Sequence, residues 1–287
     1  MKLTFLGTGG AFTDFRENYH NNAVLNVGIL NAEDPFERFL LLDCGGTAVQ
    51  SLKEMGIHPW EIGGVVVTHL HGDHIAGIEQ LIWERFYTGQ QGPLWRKTAI
   101  FASKGMLANL RAILTPCIDE YTGSDGVVHT GGYEALVDEM VMEPWDLGHE
   151  EPEWVIGDVR VRLYPTLHVA SPARDVDKEA YSVWLGSSHG LGGEVFYTSD
   201  CIFYEGVGSL FPDADVIFHD CSFGPKYPGT VHTHYDDLLT LPLAVREKIV
   251  LMHHTKVPPG IKPEEHGFRV AHRHETFDIL LGESNGS

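Results

Sequence analysis

Short apolar runs, each stopped by glycine or a polar cluster, recur along the whole chain. In the first half they predict strands at residues 3–6, 23–29, 39–42, 65–68 and 98–102. In the second half they predict strands at 159–164, 180–185, 194–198, 216–218 and 248–252. Val159, Val161 and Leu163 alternate with Arg160, Arg162 and Tyr164, which predicts a strand with one wet face. Helical spacing takes over in three places. Ile75, Ile78, Ile82 and Phe86 fall on one stripe and predict a helix over 75–86. A second helix is expected over 47–55, with Gly56 as its stop, and a third over 104–114. Strands interleaved with helices in both halves predict an α/β protein whose sheets are covered by helices.

No repeat of fixed period and no Pro- or Ser-rich linker divides the chain. Its 287 residues, 43% of them hydrophobic, suffice for a substantial core and fit one large domain or two fused halves. A single domain over residues 1–287 is expected. The stretch 121–153, rich in Gly and Pro, is expected to be loop: an insertion, a lid or an acidic surface excursion.

Composition narrows the function. No run of about 18 apolar residues is present, so no membrane span is expected. The apolar start of the chain breaks at Gly7, too short for an export signal, and reads as a strand. Cys44, Cys117, Cys201 and Cys221 lie far apart with no Cys-x-x-Cys pair, which points to a reducing cytoplasm. Twenty Lys and Arg against forty Asp and Glu give a formal net charge of −20. Between Arg111 and Arg160 there is no Lys or Arg, while twelve acidic residues fall there. A long nucleic acid gains affinity from Lys and Arg on its phosphates, so this charge disfavours one and favours a small ligand. Seventeen histidines, several closely spaced beside carboxylates, suggest metal.

The decisive segment is Val65-Val66-Val67-Thr68-His69-Leu70-His71-Gly72-Asp73-His74-Ile75. A buried strand runs into a glycine-containing loop that opens a helix, and four potential ligands crowd its carboxyl end. His69 and His71 can chelate one ion through the loop, while Asp73 and His74 at the helix start can serve a second. Further candidates stand at other strand ends: His168, Asp200 and His253. Each alone would be an ordinary polar residue. Together with the first loop they make seven ligands, enough for two ions bridged by a carboxylate.

These residues, with Leu6-Gly7-Thr8-Gly9-Gly10 and Asp43-Cys44-Gly45, make the chain resemble the metallo-β-lactamase superfamily, and in it the ribonuclease Z and phosphodiesterase branch. The resemblance spans nearly the whole chain. It implies an αββα sandwich, two mixed β-sheets flanked by helices. It also implies that His69, His71 and His168 hold one metal and that Asp73, His74 and His253 hold the other, with Asp200 bridging. The pair His253-His254 leaves the last ligand open; direct attachment to the apolar strand favours His253. A redox di-iron member would carry Glu at position 71, and a zinc β-lactamase would carry Cys at position 200. Both sites are instead complete in His and Asp, as in phosphodiester-hydrolysing members. Two ions about 3.5–4 Å apart suit that chemistry, because they polarise the phosphoryl group and neutralise charge in the transition state. Zn²⁺ is the expected metal, and Mn²⁺ or Fe²⁺ would accept the same ligands.

The resemblance further matches His232, in Val231-His232-Thr233-His234, to a histidine that helps protonate the leaving oxygen, a task suited to imidazole. Asp73 and His232 are thus the expected catalytic residues. Asp220 is expected to orient His232 or a ligand, and Asp43 to lie behind the metal site. Arg16 and Asn18, with Asn22, are candidates for touching a substrate phosphate, or are turn residues. Gly7-Thr8-Gly9-Gly10 fails as a dinucleotide fingerprint because Phe12 stands where its third glycine belongs. The sequence 271–275, with two histidines, is read as a solvated helix end rather than a metal site.

The leading expectation is a dinuclear phosphodiesterase acting on a small substrate such as a cyclic nucleotide, working as a homodimer. A ribonuclease Z-like processing enzyme for transfer RNA is the first alternative, although no basic arm is visible. A lactone or thioester hydrolase and a non-catalytic sensor of the same fold are the others.

Overall fold

The computed structural model describes residues 1–28, 38–89, 96–145, 153–169, 179–188, 193–203, 214–226, 229–254 and 256–279. Its first-half strands are β1 (Lys2–Gly7), β2 (Asn22–Asn26), β3 (Phe39–Leu42), β4 (Ile62–Val66) and β5 (Thr98–Ala102). A hairpin of β6 (Tyr121–Thr122) and β7 (Val128–His129) precedes β8 (Val137–Val141). Then come β9 (Trp154–Ile156), β10 (Val159–Pro165), β11 (Tyr181–Ser187) and β12 (Val195–Tyr197). The last are β13 (Val216–Asp220), β14 (Ile249–Met252), β15 (Arg269–Val270) and β16 (Thr276–Asp278).

Two mixed sheets result, in the orders β16-β1-β2-β3-β4-β5-β8 and β15-β14-β13-β12-β11-β10-β9. Each is built from an antiparallel half and a parallel half. β3, β4, β5 and β8 run parallel in the first sheet, as do β12, β13, β14 and β15 in the second. One apolar core joins the sheets, with Phe5 of β1 edge-on to Phe218 of β13 at 5.2 Å and to Phe277 of β16 at 5.9 Å. Helices α1 (Ala48–Glu54), α2 (Gly72–Ile75), α3 (Ile78–Gly89) and α4 (Lys104–Ile118) follow strands of the first sheet; α1, α3 and α4 bury apolar stripes against it. Across the second sheet, Tyr235 and Leu238 pack with Leu251 and Phe268 in a separate cluster. This is the expected αββα sandwich. No helix of the described residues is long and apolar enough to cross a membrane.

The predicted strands are found, shifted by up to three residues at their ends; position 29, the end of one, lies outside the described residues. Along β10, Val159, Val161 and Leu163 are buried while Arg160, Arg162 and Tyr164 are half-exposed. Both guanidinium groups lie over the Trp184 ring, at 5.3 and 4.3 Å, so the outer face is partly roofed by cation–π contact.

The helix expected over 75–86 is broken between α2 and α3. Gly77 donates its N–H to the Cys44 carbonyl at 2.8 Å instead of to a helical partner. A Cβ there would stand 2.3 Å from the Gly45 oxygen, so only glycine permits this crossing. The stretch expected to be loop over 121–153 carries the β6–β7 hairpin, a short helix at Gly132–Leu136 and β8; residues 146–152 lie outside the described residues.

Candidate metal centre

The segments that follow β3, β4, β12 and β14 meet at one edge of the sandwich, with Asp220 at the end of β13. After β3 the chain turns at Asp43, whose φ of 62° is left-handed. Ser199, after β12, and His253, after β14, share that conformation with φ of 53° each. Such conformations cost about 1–3 kcal/mol apiece and persist where surrounding contacts dictate them. In this site they swing side chains off the strand axis toward a common point.

Four side chains form the first cluster. His69 Nε2 and His168 Nε2 each stand 3.1 Å from His71 Nδ1, and Asp200 Oδ2 is 3.7 Å from both His69 Nε2 and His168 Nε2. A tetrahedron with metal–nitrogen bonds of about 2.0–2.1 Å has edges of roughly 3.4 Å, so these atoms sit at ligand spacing. His168 donates Nδ1–H to the Val231 carbonyl at 2.7 Å, which leaves its Nε2 lone pair for the cluster.

The second cluster is Asp73, His74, Asp200 and His253, all buried. His74 Nε2 and His253 Nε2 each lie 3.3 Å from Asp200 Oδ1, and 3.5 and 3.2 Å from Asp73 Oδ2. Asp200 therefore turns one oxygen to each cluster. Neither His74 Nε2 nor Asp200 Oδ1 makes a hydrogen bond, although both are fully buried. Orphaned lone pairs converging on one point are what a cation would satisfy, and imidazole with carboxylate is a donor set for a divalent transition metal. The residues fit a two-metal site.

Electrostatics agree with that reading. Burial presses charge off the imidazoles, and it holds His69 well below its ordinary pKa. At His74 burial is outweighed by Asp200 and Asp43, which raise its pKa well above the usual value. At His253 burial is again outweighed, by Asp200, Asp220 and Asp73, and the pKa is pushed up to about 10. Protons on these rings neutralise the carboxylates; a bound cation does the same and releases them.

Outer contacts fix the ligands. Asp43 accepts from Thr68 N at 2.8 Å, from Thr68 Oγ1 at 2.7 Å and from His74 Nδ1 at 2.7 Å. Asp220 lies 3.4 Å from His253 Nδ1, accepts Cys201 N–H at 3.0 Å, and binds His232 Nδ1 at 2.9 Å. The His232 ring stacks on His253 with centroids 4.8 Å apart and is 5.2 Å from His168. Burial opposes charge on His232, but Asp220 and Asp200 raise its pKa above the ordinary value. His254 faces elsewhere, toward the Ala271 carbonyl at 3.3 Å, so geometry brings His253 to the cluster. His234 caps the helix Tyr235–Leu238, accepting from Asp236 N.

Arg16 and Asn18 are not brought to the cluster. The Arg16 side chain is exposed and folded onto Asp14. Asn18 is engaged with Thr8, accepting from its N–H and donating to Oγ1. Asn22, a candidate for touching a substrate phosphate, is instead fully buried, and sequence reasoning missed its role and that of Asn21. Asn22 accepts Gly45 N–H at 2.7 Å and donates to the Asp73 carbonyl at 3.1 Å, tying two ligand loops together. Asn21 accepts His253 N–H at 3.3 Å and donates to Tyr197 OH at 2.8 Å. Their only sequence signal is a polar pair at the mouth of an apolar strand. His20, also buried beside this loop, makes no hydrogen bond through either ring nitrogen and meets Phe15 edge-on at 4.9 Å.

Residues 1–277 match the model of a protein family described as Anti-Pycsar protein Apyc1. The chain belongs to the Apyc1 family. An Apyc1 from Paenibacillus sp. (strain J14) is 29% identical over 293 residues, covering 97% of this chain and 99% of that one. Among solved structures, the metallo-β-lactamase fold protein YhfI from Bacillus subtilis superposes with a TM-score of 0.69 at 15% identity, covering 96% of this chain and 98% of that one. The short form of human tRNase Z superposes with a TM-score of 0.65 at 17% identity, covering 98% and 100%. At such identities the structures establish the fold: this Apyc1 family member is a metallo-β-lactamase fold protein.

Proposed function

We propose that this chain is a metal-dependent hydrolase, a phosphodiesterase acting on a small cyclic nucleotide. The carrying observation is Asp200, whose two buried oxygens face two separate groups of ligand atoms. In this reading His69, His71 and His168 would hold one ion and Asp73, His74 and His253 the other, with Asp200 shared; the imidazole-rich set favours Zn²⁺, and Mn²⁺ or Fe²⁺ would accept the same ligands. A bound pair of divalent ions supplies Lewis acidity toward the phosphoryl group and neutralises charge gathering on it. Asp73, the carboxylate of the second group, lies 3.5 Å from His74 Nε2 and 3.2 Å from His253 Nε2, beside the reacting centre. His232, with Nδ1 held by Asp220, passes the proton on Nε2 to the departing oxygen. The net charge of −20 supports a small substrate over transfer RNA. Four unpaired cysteines support a reducing cytoplasm, and a homodimer completes the proposal.

The test is hydrolysis of bis(p-nitrophenyl) phosphate, a panel of cyclic nucleotides and a precursor transfer RNA, with metal content quantified. Turnover of a cyclic nucleotide, lost in Asp200→Ala, is expected. Cleavage of the transfer RNA alone would replace this reading with an RNA-processing one. Inactivity on every phosphodiester with two metals bound would turn the search to lactones and thioesters.

A further inference from the structure

Beside the second cluster lies a cavity of about 620 Å³, within the size range of small-molecule sites. A phosphate group fills only a small part of such a volume. One wall is the turn that follows β1. Thr13 N–H closes it on the Gly10 carbonyl at 3.1 Å, and it presents Phe12 with its side chain entirely exposed, at 102%. Val257 and Val270 add aliphatic surface to the lining. Polar groups of both kinds, among them Glu17, Lys256 and His272, line the rest.

The turn that walls the cavity also touches the metal centre. A Cβ on Gly10 would stand 3.2 Å from His253 Cε1, so the turn rests directly on that imidazole. His254, the next residue, lines the cavity and donates its N–H to the Thr8 carbonyl at 2.8 Å. A fully exposed phenyl ring in a cavity that also carries aliphatic surface is an unfavourable surface in water and a favourable one for a flat aromatic ligand. Carboxylate, ammonium and imidazole groups around that gap match a heterocycle edged with both hydrogen-bond donors and acceptors.

We propose that this cavity seats the nucleobase of the substrate, stacked on Phe12, while the phosphodiester lies at the two ligand clusters. The proposal rests on the phosphodiesterase reading and adds the residues that would recognise the base. Stacking of a base on an aromatic side chain is lost on alanine substitution at a cost of about tenfold in affinity.

Calorimetric titration of the zinc-loaded protein with a nucleoside 5′-monophosphate and with ribose 5-phosphate tests it without turnover. The expected result is at least tenfold tighter binding of the nucleotide, a preference that collapses in Phe12→Ala and returns in Phe12→Trp. Because Phe12 is wholly exposed, neither change threatens folding. Equal affinities in the unaltered protein, or a preference that survives Phe12→Ala, would overturn the proposal. Failure of the phosphodiesterase reading shows separately, as absence of phosphodiester turnover with two metal ions bound.

Discussion

Asp200 presents different oxygens to different imidazoles, so loss of its carboxylate strikes both clusters at once. Asp200→Ala is expected to lower bound metal below two ions per chain and to reduce turnover by about a thousandfold or more; metal analysis beside kinetics reads both effects. Full metal loading with normal turnover would exclude the bridge. His232 gives a pH prediction. In the metal-free protein its pKa is raised, burial opposing and Asp220 and Asp200 prevailing; cations on Asp200 would cancel that carboxylate's share and leave Asp220 to hold the proton. A reaction that needs this proton declines as pH rises through the pKa of His232. Asp220→Asn removes the stabilising charge and should move the alkaline limb of the rate profile to lower pH; an unmoved limb at full metal occupancy would remove His232 from the acid role. His232→Ala should slow substrates with poor leaving groups more than those with good ones. At this scale the sequence was highly legible where chemistry is compressed, in the six positions from His69 to His74. It was poorly legible where a role depends on partners distant in sequence. Nothing local tells that Asn22 ties Gly45 to Asp73, or that His254 turns to Ala271, although attachment to the apolar strand did favour His253 as the ligand.

The elements that carry these residues work by ending together. β3, β4, β12, β13 and β14 are buried and stop at the same edge, and tight crossings between the segments that follow set the ligand positions. The closest crossing is at Gly45, where a Cβ would be 1.8 Å from the Asp73 carbonyl oxygen. Gly45→Ala must push the Asp73–His74 turn aside. An overpacking cost of about 1–3 kcal/mol is expected in unfolding, with weaker binding of the second metal ion in particular. Retained affinity for both ions in titrations would show that the turn moves without consequence. Long strands and helices were readable because each repeats its hydrophobic period several times. β9, β15 and β16 have two or three residues each, too few to display alternation, and exist because a longer neighbour offers an edge. The break at Gly77 was hidden for a related reason: the apolar stripe continues across it, and only the approach of Gly45 interrupts the helix.

Over the whole molecule two consequences follow from so much buried charge under so acidic a surface. His69, Asp73, His74, Asp200 and His253 are all buried and within ligand distance of like groups, so divalent metal should stabilise the fold as well as activate it. Metal at about a hundred times its dissociation constant adds roughly 2.7 kcal/mol, and chelation should lower Tm by about 5 °C. The second consequence concerns partners. A polyanion binds proteins through Lys and Arg, and its affinity falls steeply with salt because counterions are released. With 20 Lys and Arg against 40 Asp and Glu, several of those cations are already held by carboxylates, as Arg111 is by Glu134 and Glu139. Transfer RNA should therefore show no saturable binding between about 50 and 200 mM salt, and turnover of a cyclic nucleotide should change little across that range. Tight, salt-sensitive binding would reveal a basic face large enough to overcome the net charge, and would shift the assignment toward RNA. Its absence, with the cyclic nucleotide still hydrolysed, would mean that the acidic surface excludes long nucleic acids while the metal centre remains open to a small phosphodiester.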